Sequence, residues 1–264
     1  MPADLITKNR ITDLFASGKK DILSVFYTAG FPNLNATVPI AKYLEQAGAD
    51  IIEIGIPFSD PVADGPTIQE SNKVALDNGM SLPLLIEQVR EIRKEVGMPI
   101  ILMGYLNPVM QYGLKKFCKD ASVAGVDGVI LPDMPTDEYR EEYKELFESH
   151  GLSNAFLISP TTSEDRIRKI DSLTEGFIYA VSASSTTGAK GEFNKEQISY
   201  FEKLKNMKLT NPFLIGFGIS NHDTFSKACS YGSGAIVGSA FINLIRDSKD
   251  LPADIASFVK SLKG

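Results

Sequence analysis

Eight short runs of β-branched and apolar residues punctuate this chain, starting near positions 22, 51, 99, 127, 154, 177, 212 and 234. Their mean spacing is roughly 30 residues, the length of one strand–helix unit. The runs at 22–28, 99–104, 128–131, 155–158, 177–181, 212–215 and 235–237, with the one opening at Ile51, read as buried strands. Between them apolar residues recur at helical period over 36–47, 84–96, 114–124 and 137–149, and again in a tail over 252–262. Shorter helices are marked by Ile167, Ile170 and Leu173, by Ile198, Phe201 and Leu204, and by Ser220 or Asn221 as the cap of a segment reaching Ala228. Gly48, Gly125 and Gly232 each stand just before a strand, where a helix-ending glycine belongs. Strict alternation implies a parallel sheet, and eight units in one domain-sized chain imply a closed (β/α)8 barrel. An open doubly wound sheet is the alternative, but no G-x-G-x-x-G follows the first strand. Leu5, Ile6, Ile11, Leu14 and Phe15 add an N-terminal helix, closed by Gly18, that suits the bottom of the barrel. With no linker or low-complexity segment, residues 1–264 read as one α/β domain, a TIM barrel with an extra N-terminal helix.

Composition narrows the function classes. A net charge of −6 argues against a general nucleic-acid surface. Cys118 and Cys229 form no motif, and His150 and His222 are isolated, so neither a disulfide framework nor a zinc site is expected. The first ten residues hold no apolar core of a leader, and no apolar run approaches ~18 residues, so a cytoplasmic protein is expected.

The stretch from Ile51 to Gln69 carries the chemistry. Glu53 is the one carboxylate within the eight strand cores. Buried in an apolar interior, it must be paired, neutralised or facing a cavity. Beyond it the chain breaks into a loop with Pro57, Pro61 and Pro66 and two more carboxylates, Asp60 and Asp64. A carboxylate low in a strand and another on the loop above can face one pocket from two heights, as an acid/base pair does. The alternative is an ion-paired Glu53 with Asp60 and Asp64 serving turns.

In such a barrel the active site lies at the C-terminal ends of the strands. Asp50 and Asp127 stand at strand beginnings, on the stability face, and Asp133, just past strand four, is a lesser candidate. Gly216-Phe217-Gly218 and Gly238-Ser239 follow strands seven and eight, where backbone N–H groups can cradle a phosphate. Phe26, Tyr105 and Tyr179 sit at or near strand ends, as the walls of an aromatic pocket would. The small, polar segment 182–191 suits a mobile lid. No lysine lies in a strand core and no metal cluster is evident, so the expected chemistry is proton transfer by carboxylates.

The run Pro57-Phe58-Ser59-Asp60-Pro61-Val62-Ala63-Asp64-Gly65-Pro66-Thr67-Ile68-Gln69, preceded by Glu53-Ile54-Gly55, resembles the signature of the tryptophan synthase α subunit family. The likeness extends over nearly the whole chain, including Tyr27-Thr28-Ala29-Gly30-Phe31-Pro32, Tyr105-Leu106-Asn107-Pro108, Gly216-Phe217-Gly218-Ile219-Ser220 and Gly238-Ser239-Ala240. The resemblance implies a metal-free retro-aldol cleavage of indole-3-glycerol phosphate with Glu53 and Asp64 as the catalytic pair. It also implies Phe26 and Tyr179 at the substrate, Thr187 and Gly188 in the lid, and Gly218, Gly238 and Ser239 at the phosphate. It names a partner as well, a pyridoxal-phosphate β subunit in an α2β2 heterotetramer, with Pro57, Asp60, Pro61 and Asn107 at the interface and no cofactor in this chain. One departure stands out: the family commonly has an arginine early in the lid and a glycine-valine pair before the threonine, where Ala183, Ser185 and Thr186 stand here. Other phosphate-binding barrels, such as indole-glycerol-phosphate synthase or a phosphoribosyl isomerase, favour a strand-borne lysine or an aspartate pair on strands one and five, absent here. A catalytically silent regulatory partner would have no need of an intact Glu53 and Asp64.

Overall fold

The computed structural model describes residues 8–182 and 192–264. Eight parallel strands form the wall: β1 (Ile22–Thr28), β2 (Ile51–Gly55), β3 (Ile100–Met103), β4 (Gly128–Ile130), β5 in two pieces (Ser153–Asn154 and Leu157–Ile158), β6 (Ile178–Val181), β7 (Phe213–Gly216) and β8 (Gly234–Val237). Neighbours pair in chain order, and β1 also pairs with β8, Ile22 opposite Gly234.

The split in β5 closes the barrel. Its first piece pairs with β4, Val129 opposite Asn154, and its second with β6, Leu157 opposite Tyr179. Between them Ala155 donates its N–H to the Val129 carbonyl at 3.1 Å, while Tyr179 donates to the Phe156 carbonyl at 2.9 Å. The segment thus hands the wall from one neighbour to the next. The expected single strand over 155–158 begins two residues earlier and is interrupted at Ala155 and Phe156.

Alternation along the strands sorts side chains into two cores. Ile22, Ile51, Ile101, Ile130, Tyr179, Leu214 and Ile236 fill the barrel interior. Leu23, Val25, Ile52, Ile54, Leu102, Val129, Ile215 and Val237 face the surrounding helices. Helix Arg10–Ala16 closes the floor. Its Ile11 side chain fits against two residues that lack a side chain: a Cβ at Gly128 or Gly176 would lie 2.7 or 2.6 Å from it.

Asp50 and Asp127 tie the bottom of the wall together, as their positions at strand starts imply. Asp50 accepts from the Leu23 N–H at 2.8 Å and pairs with Lys19 and Lys263. Asp127 accepts from the Ile100 N–H at 2.9 Å and pairs with Arg10 and Arg93. Gly48 and Gly125 both end helices in the left-handed region, φ 94° in each.

Two helices escaped the sequence reading. In Pro66–Asp77 the buried face is Ser71, Asn72 and Ala75, so no apolar period marks it. Leu106–Tyr112 carries Pro108 in its first turn, where the missing N–H has no intrahelical partner to lose. The helix expected over 84–96 runs from Leu82 to Arg93, and that over 137–149 contains a π-helical turn, Tyr139–Tyr143. A further short helix, Ser239–Asp247, follows the last strand.

Candidate active site

Glu53 occupies the middle of β2, wholly buried. Its neighbour across the sheet is Phe26, level with it in register. The Phe26 ring lies over Gly55, where a Cβ would stand 2.7 Å from it, so the glycine makes room for the ring. The Ser24 hydroxyl donates to Glu53 Oε1 at 2.6 Å, while Oε2 is buried without a hydrogen-bond partner among the described residues. Burial pushes the Glu53 carboxyl up to about 7, with the Ser24 hydrogen bond opposing the rise.

Asp64 stands on the loop after β2, two residues before helix Pro66–Asp77, and is half-buried. Burial raises its carboxyl too, against the pull of Tyr105 and Asn72. The Asn72 amide lies 3.4 Å from Asp64 Oδ2, and Gln69 donates to the Asp64 carbonyl at 2.8 Å. One residue earlier, the Ala63 N–H donates to the Tyr105 hydroxyl at 3.0 Å. The loop is therefore tied both to its own helix and to the end of β3.

Tyr179 stands on β6, within the electrostatic reach of both carboxylates. Its phenol is held well above the ordinary range by burial first, then by the charge of Glu53, then by that of Asp64. Tyr179 belongs to the core that fills the barrel interior, and Glu53, two residues on from the inward-facing Ile51, faces that same interior. Gly216 on β7 leaves room for the Tyr179 ring, since a Cβ there would come within 2.5 Å of it. Phe217 packs edge-on to that ring at 6.3 Å.

The glycine turns form the rim. Gly218 has φ 80°, a conformation glycine adopts freely, and Ser182 Oγ donates to the Phe217 carbonyl at 2.6 Å just before it. Gly238 precedes helix Ser239–Asp247, whose N-terminus has no side-chain cap, leaving its first N–H groups for a ligand. A Cβ on Gly238 would lie 3.6 Å from Phe26, so this rim adjoins the aromatic wall. Thr187 and Gly188, with Ala183, Ser185 and Thr186, lie outside the described residues.

Around the mouth, Asp60 and Asn107 are exposed, Pro61 is half-buried and Pro57 is buried. The Ser59 hydroxyl donates to the Asp60 carboxylate. Val62 and Met110 are 87% and 47% exposed, and Asn107 and Met110 help line an open depression of about 560 Å³. The Asp133 carboxylate lines the same depression and accepts the Leu106 N–H at 2.9 and 3.1 Å, at the start of helix Leu106–Tyr112. Ser24 and Asn72 went unnoticed in the sequence. A small hydroxyl residue two positions before Phe26, among the apolar residues that open the first strand, was the available signal for Ser24; Asn72 had none. Among the described residues no cluster of three or more histidines, cysteines or carboxylates is arranged to hold a metal, and no helix is long and apolar enough to cross a membrane.

Comparison with known proteins bears on the fold and the family. The profile of the family described as "Tryptophan synthase alpha chain" matches residues 14–263. The tryptophan synthase alpha chain of Parabacteroides distasonis is 54% identical over 256 residues, covering 97% of this chain and 99% of the relative. That of Flavobacterium psychrophilum is 52% identical over 254 residues, covering 96% and 99%. A crystal structure of the alpha chain from Legionella pneumophila superposes with a TM-score of 0.85 at 34% identity, covering 97% of this chain and 96% of that one. A chain of the tryptophan synthase complex from Pyrococcus furiosus superposes with a TM-score of 0.85 at 33% identity, covering 92% and 98%. With a family profile spanning nearly its whole length and relatives of this identity, the chain belongs to the tryptophan synthase alpha chain family.

Proposed function

We propose that this chain cleaves indole-3-glycerol phosphate to indole and D-glyceraldehyde 3-phosphate in tryptophan biosynthesis, with Glu53 and Asp64 as its acid/base pair. The bond to break joins indole C3 to the side chain. The protonated Glu53 carboxyl delivers a proton to C3, and the ring nitrogen takes up the positive charge. Asp64 accepts a hydrogen bond from the ring N–H and stabilises that charge. The resulting Glu53 carboxylate then takes the proton of the adjacent hydroxyl. The electron pair of the breaking bond returns to the ring as indole, and the hydroxyl carbon becomes the aldehyde. One proton has moved from oxygen to carbon, and Glu53 ends as it began. The ring itself is the electron sink, so the reading needs neither Schiff base nor metal.

Phe26 and Tyr179 wall the indole in this scheme. Gly218, Gly238 and Ser239 hold the phosphate through backbone N–H groups, and Thr187 and Gly188 belong to the closing lid. The partner is a β subunit that consumes indole with pyridoxal phosphate of its own, in an α2β2 assembly, and this chain carries no cofactor. Asp60, Pro61 and Asn107 form its contact region, with the buried Pro57 stiffening the loop beneath and the exposed Val62 and Met110 as neighbouring apolar surface. The 264 residues act as one domain. A cytoplasmic setting fits the two free cysteines.

The observation that carries the reading is Glu53 itself: a fully buried carboxyl, raised to about 7, with one oxygen unpartnered. A carboxyl near neutrality can both give and take a proton at working pH. The test is indole release from indole-3-glycerol phosphate by wild type and Glu53→Gln, with and without a β subunit. The amide should retain substrate binding and lose nearly all turnover, by ~10²–10⁴-fold. Turnover within a few-fold of wild type would remove Glu53 from the role.

A further inference from the structure

We propose that Ser24 is the positioning residue of the catalytic carboxyl: it locks Glu53 Oε1 and so leaves Oε2 as the oxygen that exchanges protons with substrate. The inference rests on the role assigned to Glu53 above. Ser24 is fully buried on β1, two residues before Phe26 and facing the same interior. It is opposite Ile51 in register, so its hydroxyl reaches Glu53 diagonally, across one strand and two residues up, to close the 2.6 Å bond. Diagonal neighbours of a strand pair are within side-chain reach. Phe26 lies beside the carboxyl, and on its other flank β3 presents Ile101, opposite Glu53 in register. Neither can hydrogen-bond. Ser24 is thus the side chain in bonding contact with the carboxyl among the described residues, and Oε2 is left unpartnered.

A hydroxyl both donates and accepts. With the carboxylate form of Glu53, Ser24 donates to Oε1. When Oε2 carries the proton, Oε1 is the carbonyl oxygen and the same bond persists. Ser24 therefore holds the carboxyl in one rotamer through both halves of the proton transfer, and favours the ionised form the more. Titratable groups sharing this interior are Tyr179 on β6 and Asp64 on the loop after β2. Neither hydrogen-bonds Ser24, whose hydroxyl goes to Glu53.

The experiment compares Ser24→Ala, Ser24→Thr and Glu53→Gln as full chains with indole-3-glycerol phosphate. For Ser24→Ala, kcat should fall about tenfold with KM nearly unchanged, since orientation rather than binding is lost. The limb of the kcat–pH profile belonging to Glu53 should move to higher pH by about one pH unit. Carbon-13 titration of labelled glutamate carboxyls, with the Glu53 signal identified by its loss in Glu53→Gln, should show the same upward move without reference to turnover. Ser24→Thr keeps the hydroxyl and should return the limb towards wild type. An alanine variant whose Glu53 titration and pH profile coincide with wild type overturns the proposal, as does a threonine variant that behaves like alanine. Full activity in Glu53→Gln would instead strike at the role of Glu53, which separates the two failures.

Discussion

The Asn72 side-chain amide lies 3.4 Å from the Asp64 carboxylate, so the loop after β2 is fastened to the second turn of the helix it leads into. Asp64 is therefore aimed by the very segment whose polar buried face concealed that helix. Asp64→Asn should lose turnover by ~10²–10³-fold, because the charge facing the indole nitrogen disappears. A substrate analogue without the ring N–H should react about equally poorly with wild type and variant. Clear discrimination between the two enzymes by that analogue would count against the assigned role.

Glu53 should make the protein less stable as pH rises. Its folded value is about 7, against an ordinary 4.5, so the folded state holds more protons between those limits. Stability then falls as pH climbs from about 4.5 through about 7, and the full penalty, on the order of 3 kcal/mol, is present above the window. Glu53→Gln removes the ionisation. The variant should melt higher than wild type at about pH 8, and the gap should close towards about pH 4. Denaturant unfolding of both proteins across this range is the measurement; a gap that does not depend on pH would contradict the buried, raised carboxyl.

Gly216→Ala tests the seat of Tyr179. The new methyl would stand 2.5 Å from the ring atoms, so the tyrosine must move or the strand must shift. A stability loss of ~1–3 kcal/mol is expected from overpacking, with turnover falling further than stability alone explains. Wild-type activity in a folded Gly216→Ala protein would show that Tyr179 has no need of its present place.

At the rim, Gly238→Val would put a branched side chain where the phosphate must approach and beside Phe26. KM should rise strongly and binding of glycerol 3-phosphate should weaken to match. Unchanged affinity for glycerol 3-phosphate, measured by calorimetry, would place the anion elsewhere.

Asp60 is exposed at the tip of the same loop that carries Asp64. Docking and catalysis would then share one loop, and a partner need only shift the balance between two of its arrangements. Asp60→Ala should lower β-stimulated indole release more than basal release. Equal losses in both would move Asp60 into the catalytic set.

The barrel was legible because its strands are continuous apolar runs, buried on both faces, and its helices end at glycines such as Gly48 and Gly125. Glu53 was legible for the same reason: it is a charge where the pattern allows none. Helix Pro66–Asp77 was not, because it buries Ser71, hydrogen-bonded to Thr28 of β1, and Asn72, which reaches the loop, in place of an apolar stripe. The break in β5 was hidden too, since Ala155 and Phe156 look like strand and are set aside only by pairing with two different neighbours. Ser24 reads as an ordinary small residue until the register brings it beneath Glu53. Asp133, a lesser candidate from its place above β4, accepts the Leu106 N–H, a tie that only the fold reveals.

Ile11, pressed against Gly128 and Gly176, has a kinetic meaning. With that plug in the floor and the interior filled above it, the described barrel is a dead-end vessel, and traffic passes through its top. In the scheme proposed above, substrate and both products would share that doorway, and a triose phosphate held at the rim would have to leave before anything deeper.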